Sequence, residues 1–163
     1  MDAFVTWLQA TRLSQAIVFH TWIWPAAETI HFIGLALIIG IVGFFDLRLI
    51  GFFKRIPVSA VRDLMPFAIA GFMLNAVTGV TFLIGHPEQY AYNIAWWYKV
   101  GSLAVAGLNA AVFELAGIGA LTGPLGAGDD TPLLAKAIGA VSIAAWFSVL
   151  YWGRVLPFVG NAS

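Results

Sequence analysis

The chain has 163 residues, of which 61% are hydrophobic and only 10% charged, where an ordinary soluble domain carries roughly 25% charged. Eight basic residues balance eight acidic ones and Cys is absent, so no charge excess argues for nucleic acid, and disulfides, thiolate metal sites, iron–sulfur clusters and Cys-attached haem are excluded. A soluble core of this size cannot absorb so much apolar surface. The composition predicts an integral membrane protein whose first partner is the lipid bilayer.

The chain opens with Met1-Asp2-Ala3-Phe4, which lacks a basic n-region. Its first apolar stretch is broken by Gln9, Thr11, Arg12, Ser14 and Gln15. No compact signal-peptide core is present, and Met1 reads as the true start. Residues 2–24 form a helix-like piece too polar to span, expected to lie along or dip into one membrane surface.

A span needs about 20 apolar residues. Four windows qualify: Pro25–Ile50, Val61–Gly85, Ile94 to about Leu121, and Pro132 to about Phe158. Pro25 suits a first helical turn, or alternatively kinks one longer helix. Gly51 to Pro57 ends the first span, and Ser59 is placed to cap the second. His86-Pro87-Glu88 stops the second, because a residue before proline disfavours helix. Gly117 to Gly128 separates the third from the fourth, where Asp129, Asp130 or Thr131 is placed as cap. The predicted fold is all-α: a single membrane domain over residues 1–163, built as a four-helix bundle with an N-terminal interfacial helix.

Half of the basic residues, Arg48, Lys54, Arg55 and Arg62, cluster between spans one and two, and residues 86–93 hold none. The positive-inside rule then places the first connection in the cytoplasm of a bacterial inner membrane and both termini on the periplasmic side. Trp22, Trp24, Tyr90, Tyr92, Trp96, Trp97, Tyr151 and Trp152 all fall at the outer interface in this topology. Asp46, Arg48, Arg62 and Asp63 fall near the inner surface, where water is expected to reach them.

The remaining ionisable groups gather at one depth. His20, Glu28, His31, His86, Lys99 and Arg154 all map to the outer third of the bilayer. Charge inside a membrane costs about 2.5–3.5 kcal/mol on the insertion scale and is usually paired or functional. Glu28 and His31 are one turn apart on one face. His20 would share that face if the helix ran through Pro25. Gly34, a turn further in, leaves room for a planar group. Asn75, Thr78, Phe82 and His86 make one stripe, and Lys99, Ser102, Ala106, Asn109 and Phe113 another. Both should line the interior. Glu28 is equally well placed to pair with Lys99 or Arg154. Asn75 and Asn109 suit helix–helix hydrogen bonds. Gly40, Gly43, Gly101, Gly107, Ala135, Gly139, Ala140 and Ala144 offer close-packing faces that would permit a homo-oligomer.

Glu28-Thr29-Ile30-His31 with Gly34-Leu35-Ala36, then Asp46-Leu47-Arg48-Leu49-Ile50-Gly51, Met65-Pro66, Gly71-Phe72, Thr78-Gly79 and Ala106-Gly107-Leu108-Asn109-Ala110, resemble a family of small bacterial inner-membrane proteins of unassigned role. More loosely, the architecture is similar to four-helix b-type cytochromes and copper-resistance membrane domains. That likeness implies haem held by histidines on different helices. With three histidines, at most one bis-histidine haem fits comfortably.

The expected function is therefore a membrane redox protein carrying haem b near the periplasmic face and exchanging electrons with a redox partner. His31 would ligate iron, with His86 or His20 opposite or at a second centre. Lys99 and Arg154 would neutralise the propionates beside Gly34. Glu28 could accept the other ring N–H of His31. Two alternatives stand beside it: a copper or other non-haem metal site from His20, His31, His86 and Glu28, and a non-catalytic membrane subunit or small transporter. No GxSxG, HExxH or Walker loop is present.

Overall fold

The computed structural model describes residues 1–159, which form nine α-helices and a terminal 3₁₀ turn. No strand occurs among the described residues. α1 (Asp2–Gln9) and α2 (Arg12–Phe19) precede the first long helix, α3 (Ile23–Ile50). A short α4 (Val58–Arg62) leads into α5 (Met65–Gly85), and a short α6 (Pro87–Ala91) into α7 (Ile94–Leu115). α8 (Ile118–Thr122) then precedes α9 (Leu133–Val155). Three segments are long and apolar enough to cross a membrane: Ile23–Ile50, Val58–Gly85 and Leu133–Phe158.

Several boundaries differ from expectation, each for a local reason. The N-terminal piece is two helices, because Thr11 leaves the helical region and its hydroxyl accepts from the Ser14 N–H at 3.2 Å. α3 begins at Ile23 with Pro25 in its first turn, so no helix runs from His20 to His31. The α4 N-cap is Pro57 rather than Ser59, and the α9 N-cap is Pro132 rather than Asp129, Asp130 or Thr131. α7 stops at Leu115, not near Leu121, because Gly117 takes a left-handed φ of 74° and turns the chain into α8.

The long helices neighbour one another in the order α5–α3–α9–α7, every adjacent pair antiparallel, and α5 and α7 do not pack closely on each other. α3 meets α5 where Gly34 faces Gly71. A Cβ on Gly34 would lie 2.7 Å from the Gly71 carbonyl oxygen and closer still to Asn75 Nδ2. α3 meets α9 at Gly139, whose Cβ would sit 3.0 Å from the Asp46 carbonyl. These glycines let the helix backbones approach. Gly40, Gly43, Gly101 and Gly107 have nothing within 4 Å of an added Cβ, so these four make no close packing within the chain.

For orientation, the start of α3, α6 and the end of α9 define the upper end, and α4 and α8 the lower. The apolar core lies at the lower end: Phe45 and Leu49 of α3, Val58 and Val61 of α4, Phe113 of α7, Ile118 of α8, and Ala135 and Ile138 of α9. Asp46 and Arg48 are buried there, 4% and 0% exposed, not open to water as their positions in the sequence suggested. Arg48 reaches the loops beyond α3: its Nε donates to the Ile56 carbonyl (2.7 Å), and its Nη2 to those of Asp129 (3.1 Å) and Gly126 (3.3 Å). The Thr131 hydroxyl donates to the Leu49 carbonyl. Arg62 closes the same end: its Nη2 donates to both Glu114 carboxylate oxygens at 2.7 and 2.8 Å, and its Nη1 to the Gly119 carbonyl at 2.7 Å. The lower end is laced shut by polar links from four helices and two loops.

Candidate functional site

The upper half adds a layer of aromatic and polar side chains beside small patches of buried aliphatic ones such as Leu8, Ile17 and Val149. The closest cluster joins α3 to α5. His31 is half-buried, and its Nδ1 lies 2.7 Å from the Thr78 hydroxyl oxygen. Thr78 is itself buried, with Oγ1 2.7 Å from the Leu74 carbonyl one turn back. A hydroxyl has one proton. With that proton directed to Leu74, Thr78 accepts from His31, so Nδ1 carries the hydrogen and Nε2 keeps its lone pair. Phe82 flanks the imidazole with ring centroids 5.5 Å apart, and Trp24 packs on Phe82 at 4.9 Å.

Glu28, one turn from His31, accepts from Trp24 Nε1 at 3.1 Å and is exposed. It pairs with neither Lys99 nor Arg154, and Thr78 rather than Glu28 holds the His31 ring nitrogen. Tyr90 of α6 lies close enough to feel that carboxylate. Burial, followed by the Glu28 charge, pushes its phenol up to about 12. Tyr92 donates to Asp2 at 2.5 Å and Gln9 donates to Glu88 at 2.7 Å, so α6 and its C-cap anchor α1. The bond to Asp2 raises the Tyr92 pKa.

Lys99 enters from α7. Its side chain passes α9 beside Gly153, where a Cβ would be 3.7 Å from Nζ, and it lies within electrostatic reach of His31. No carboxylate among the described residues comes within ion-pair distance of it. Two members of its stripe bond α9, Ser102 sharing a 2.7 Å bond with Ser148 and Asn109 donating to the Ile138 carbonyl at 3.1 Å, while Phe113 meets Phe45 of α3. Asn75 instead bonds its own helix, at the Gly71 carbonyl.

The other candidates stand apart. His86 caps α5 eight residues beyond Thr78, about 12 Å of helical rise at 1.5 Å per residue. Its ring meets Trp24 edge-on at 5.0 Å, and Nδ1 lies 3.4 Å from Glu88. His20 is exposed at the end of α2, its ring against Phe19 at 5.2 Å. Arg154 is exposed and sits over the Phe158 ring at 5.2 Å. The space above Gly34 is taken by Asn75 and the Gly71 carbonyl, so α5 rather than a planar group occupies it. Among the described residues, no group of three or more His, Asp or Glu side chains is disposed to hold a metal ion.

The structure thus gathers His31, Thr78, Phe82 and Trp24, brings Lys99 toward them, and leaves His20, His86 and Arg154 outside. Thr78, Phe82 and Trp24 are residues that sequence reasoning left out of the site, although the stripe of Thr78 with Asn75 and Phe82 was legible. Comparison with protein-family models, with curated proteins and with solved structures found no match to this chain.

Proposed function

We propose that the chain is a multi-pass membrane protein of four spans, α3, α5, α7 and α9, that holds haem b in its upper, periplasm-facing half as a redox centre. The observation that carries this reading is the 2.7 Å contact between His31 Nδ1 and the Thr78 hydroxyl: with the Thr78 proton on the Leu74 carbonyl, Nδ1 would carry the hydrogen and Nε2 would keep its lone pair for a metal. Bound haem would supply one-electron transfer. His31 would hold the iron, Thr78 would keep the imidazole neutral and oriented, and Lys99, which lacks a carboxylate partner among the described residues, would meet a propionate. Trp24 and Phe82 would shield the imidazole from water.

The donor set fits one-point ligation. It does not fit a bis-histidine pair, because His86 lies two turns further up α5 and His20 is on the surface. His31, His86, His20 and Glu28 form no joint metal cluster among the described residues, and the copper reading has no geometric observation in its favour.

The test is the absorption spectrum of the chain purified in detergent from cells supplied with haem precursor. A reducible Soret band is expected for the wild type, and its loss for His31→Ala. Thr78→Val, which removes the hydroxyl but little volume, should retain less haem or shift its potential. A colourless wild-type protein that elutes as a single folded species overturns the reading, as does full haem loading of the His31 variant.

A further inference from the structure

We infer that the turn joining α3 to α4 is a binding point for an anionic phospholipid headgroup, with Lys54 and Arg55 on the phosphate and Phe52 and Phe53 against the acyl chains. This goes beyond the redox reading and rests only on α3 and the α4–α5 segment crossing the membrane.

The turn is rigid and built to present these side chains. α3 ends at Gly51 (φ 113°), and the Phe52 N–H bonds back to the Leu47 carbonyl at 2.9 Å. Phe53 follows with φ 51°, the one non-glycine residue in a left-handed conformation among the described residues. A bulky side chain adopts this region only where its surroundings impose it. Here the Ile56 N–H bonds to the Phe53 carbonyl at 2.9 Å, and the Gly128 N–H to the Lys54 carbonyl at 2.7 Å. Arg48 holds the Ile56 carbonyl from the α3 side. Fixed in this way, Phe52 and Phe53 remain 59% and 52% exposed. The Phe53 ring packs on Phe44 at 5.2 Å, so it points back along α3 toward its apolar stretch.

The cations come next in sequence. Lys54 and Lys136 share the single carboxylate of Asp130, at 3.1 and 2.8 Å. Arg55 is exposed and makes no ion pair among the described residues. Arg62 is taken by Glu114, Asp129 accepts from the Gly126 N–H, and Asp63 lies further on, as the C-cap of α4. The patch around residues 54–55 therefore carries a local positive excess beside two outward aromatic rings, at the level where α3 leaves its apolar stretch. Hydrocarbon on the α3 side and phosphate beyond it match that order, and the excess charge favours an anionic over a zwitterionic headgroup.

Native mass spectrometry of the detergent-purified full chain tests this, with phosphatidylglycerol or phosphatidylcholine of identical acyl chains added in turn. Several-fold greater retention of phosphatidylglycerol is expected. Lys54→Gln with Arg55→Gln should erase that preference, and Arg55→Gln alone, which breaks no contact, should reduce it while leaving the fold unchanged. Equal retention of the two lipids by the wild type, or an intact preference in both variants, overturns the inference. Alkaline-carbonate extraction of membranes separates the failures. A chain that resists extraction yet shows no lipid preference sinks only this proposal, whereas an extracted chain sinks the membrane reading itself.

Discussion

Replacing Arg48 by Met tests whether one buried side chain locks the lower end. The substitution keeps length and apolar bulk but removes all three donations, to Ile56, Gly126 and Asp129. Hydrogen bonds to a charged group contribute about 1.5–3 kcal/mol each. The Gly126 contact, at 3.3 Å, is the weakest of the three. Removing the guanidinium also relieves an unfavourable burial, since its Nη1 has no partner. A net loss of about 3 kcal/mol is the expected balance. For a chain of this size each kcal/mol moves the melting midpoint by roughly 2–4 °C, so a fall of about 6–12 °C should follow. Intrinsic fluorescence of the seven Trp residues reports the transition in detergent, and the absence of Cys rules out thiol-reactive dyes. Arg48→Lys should lose nearly as much, because one ammonium cannot span carbonyls on two separate loops. A midpoint within about 2 °C of wild type for Arg48→Met, below the shift expected for even 1 kcal/mol, would refute the idea that this residue joins the loops.

Two further expectations concern packing and pH. Gly34→Ala drives a methyl into the Gly71 carbonyl and Asn75 and should cost about 1–3 kcal/mol. Gly40→Ala meets nothing within 4 Å and should be neutral or stabilising by up to about 1 kcal/mol, so equal midpoints for the two variants would contradict the α3–α5 crossing. Asp130 is held down to about 2 from its ordinary 3.8, chiefly by its bonds to Lys136 and then Lys54. A depressed carboxylate stabilises the fold above its unfolded pKa and loses that contribution as pH falls through the folded one. The difference in melting midpoint between wild type and Asp130→Asn should therefore be constant above pH 4 and close between about pH 4 and 2. A difference undiminished at pH 2 would show that the ion pairs are not its source.

The helical class, the apolar segments and the stops at Gly51 and His86 were legible in the sequence because they depend on local properties. Apolar length, a glycine with positive φ and a residue before proline act within a few positions of the chain. The stripes on α5 and α7 were equally readable from helical spacing, and Thr78, Ser102 and Asn109 do face neighbouring helices. Periodicity says which side of a helix is polar. It does not say which residue on the next helix will be opposite.

That second kind of fact belongs to tertiary structure. Only the antiparallel register of α3 on α5, imposed where Gly34 meets Gly71, sets Thr78 rather than Glu28 against His31. The same register leaves His86 two turns away, although depth along the sequence had put both histidines in one layer. Arg48 and Asp46 looked solvated because they sit near the end of an apolar stretch. The loops before α4 and α9 fold over Arg48, a contact made by residues about eighty positions apart, while Asp46 is buried where α3 lies against Gly139 of α9. Composition and spacing determine what can enter a bilayer and where helices break, since both are summed along the chain. Which polar groups meet is decided by the distances at which whole helices can approach, and those are set by pairs of small residues distant in sequence.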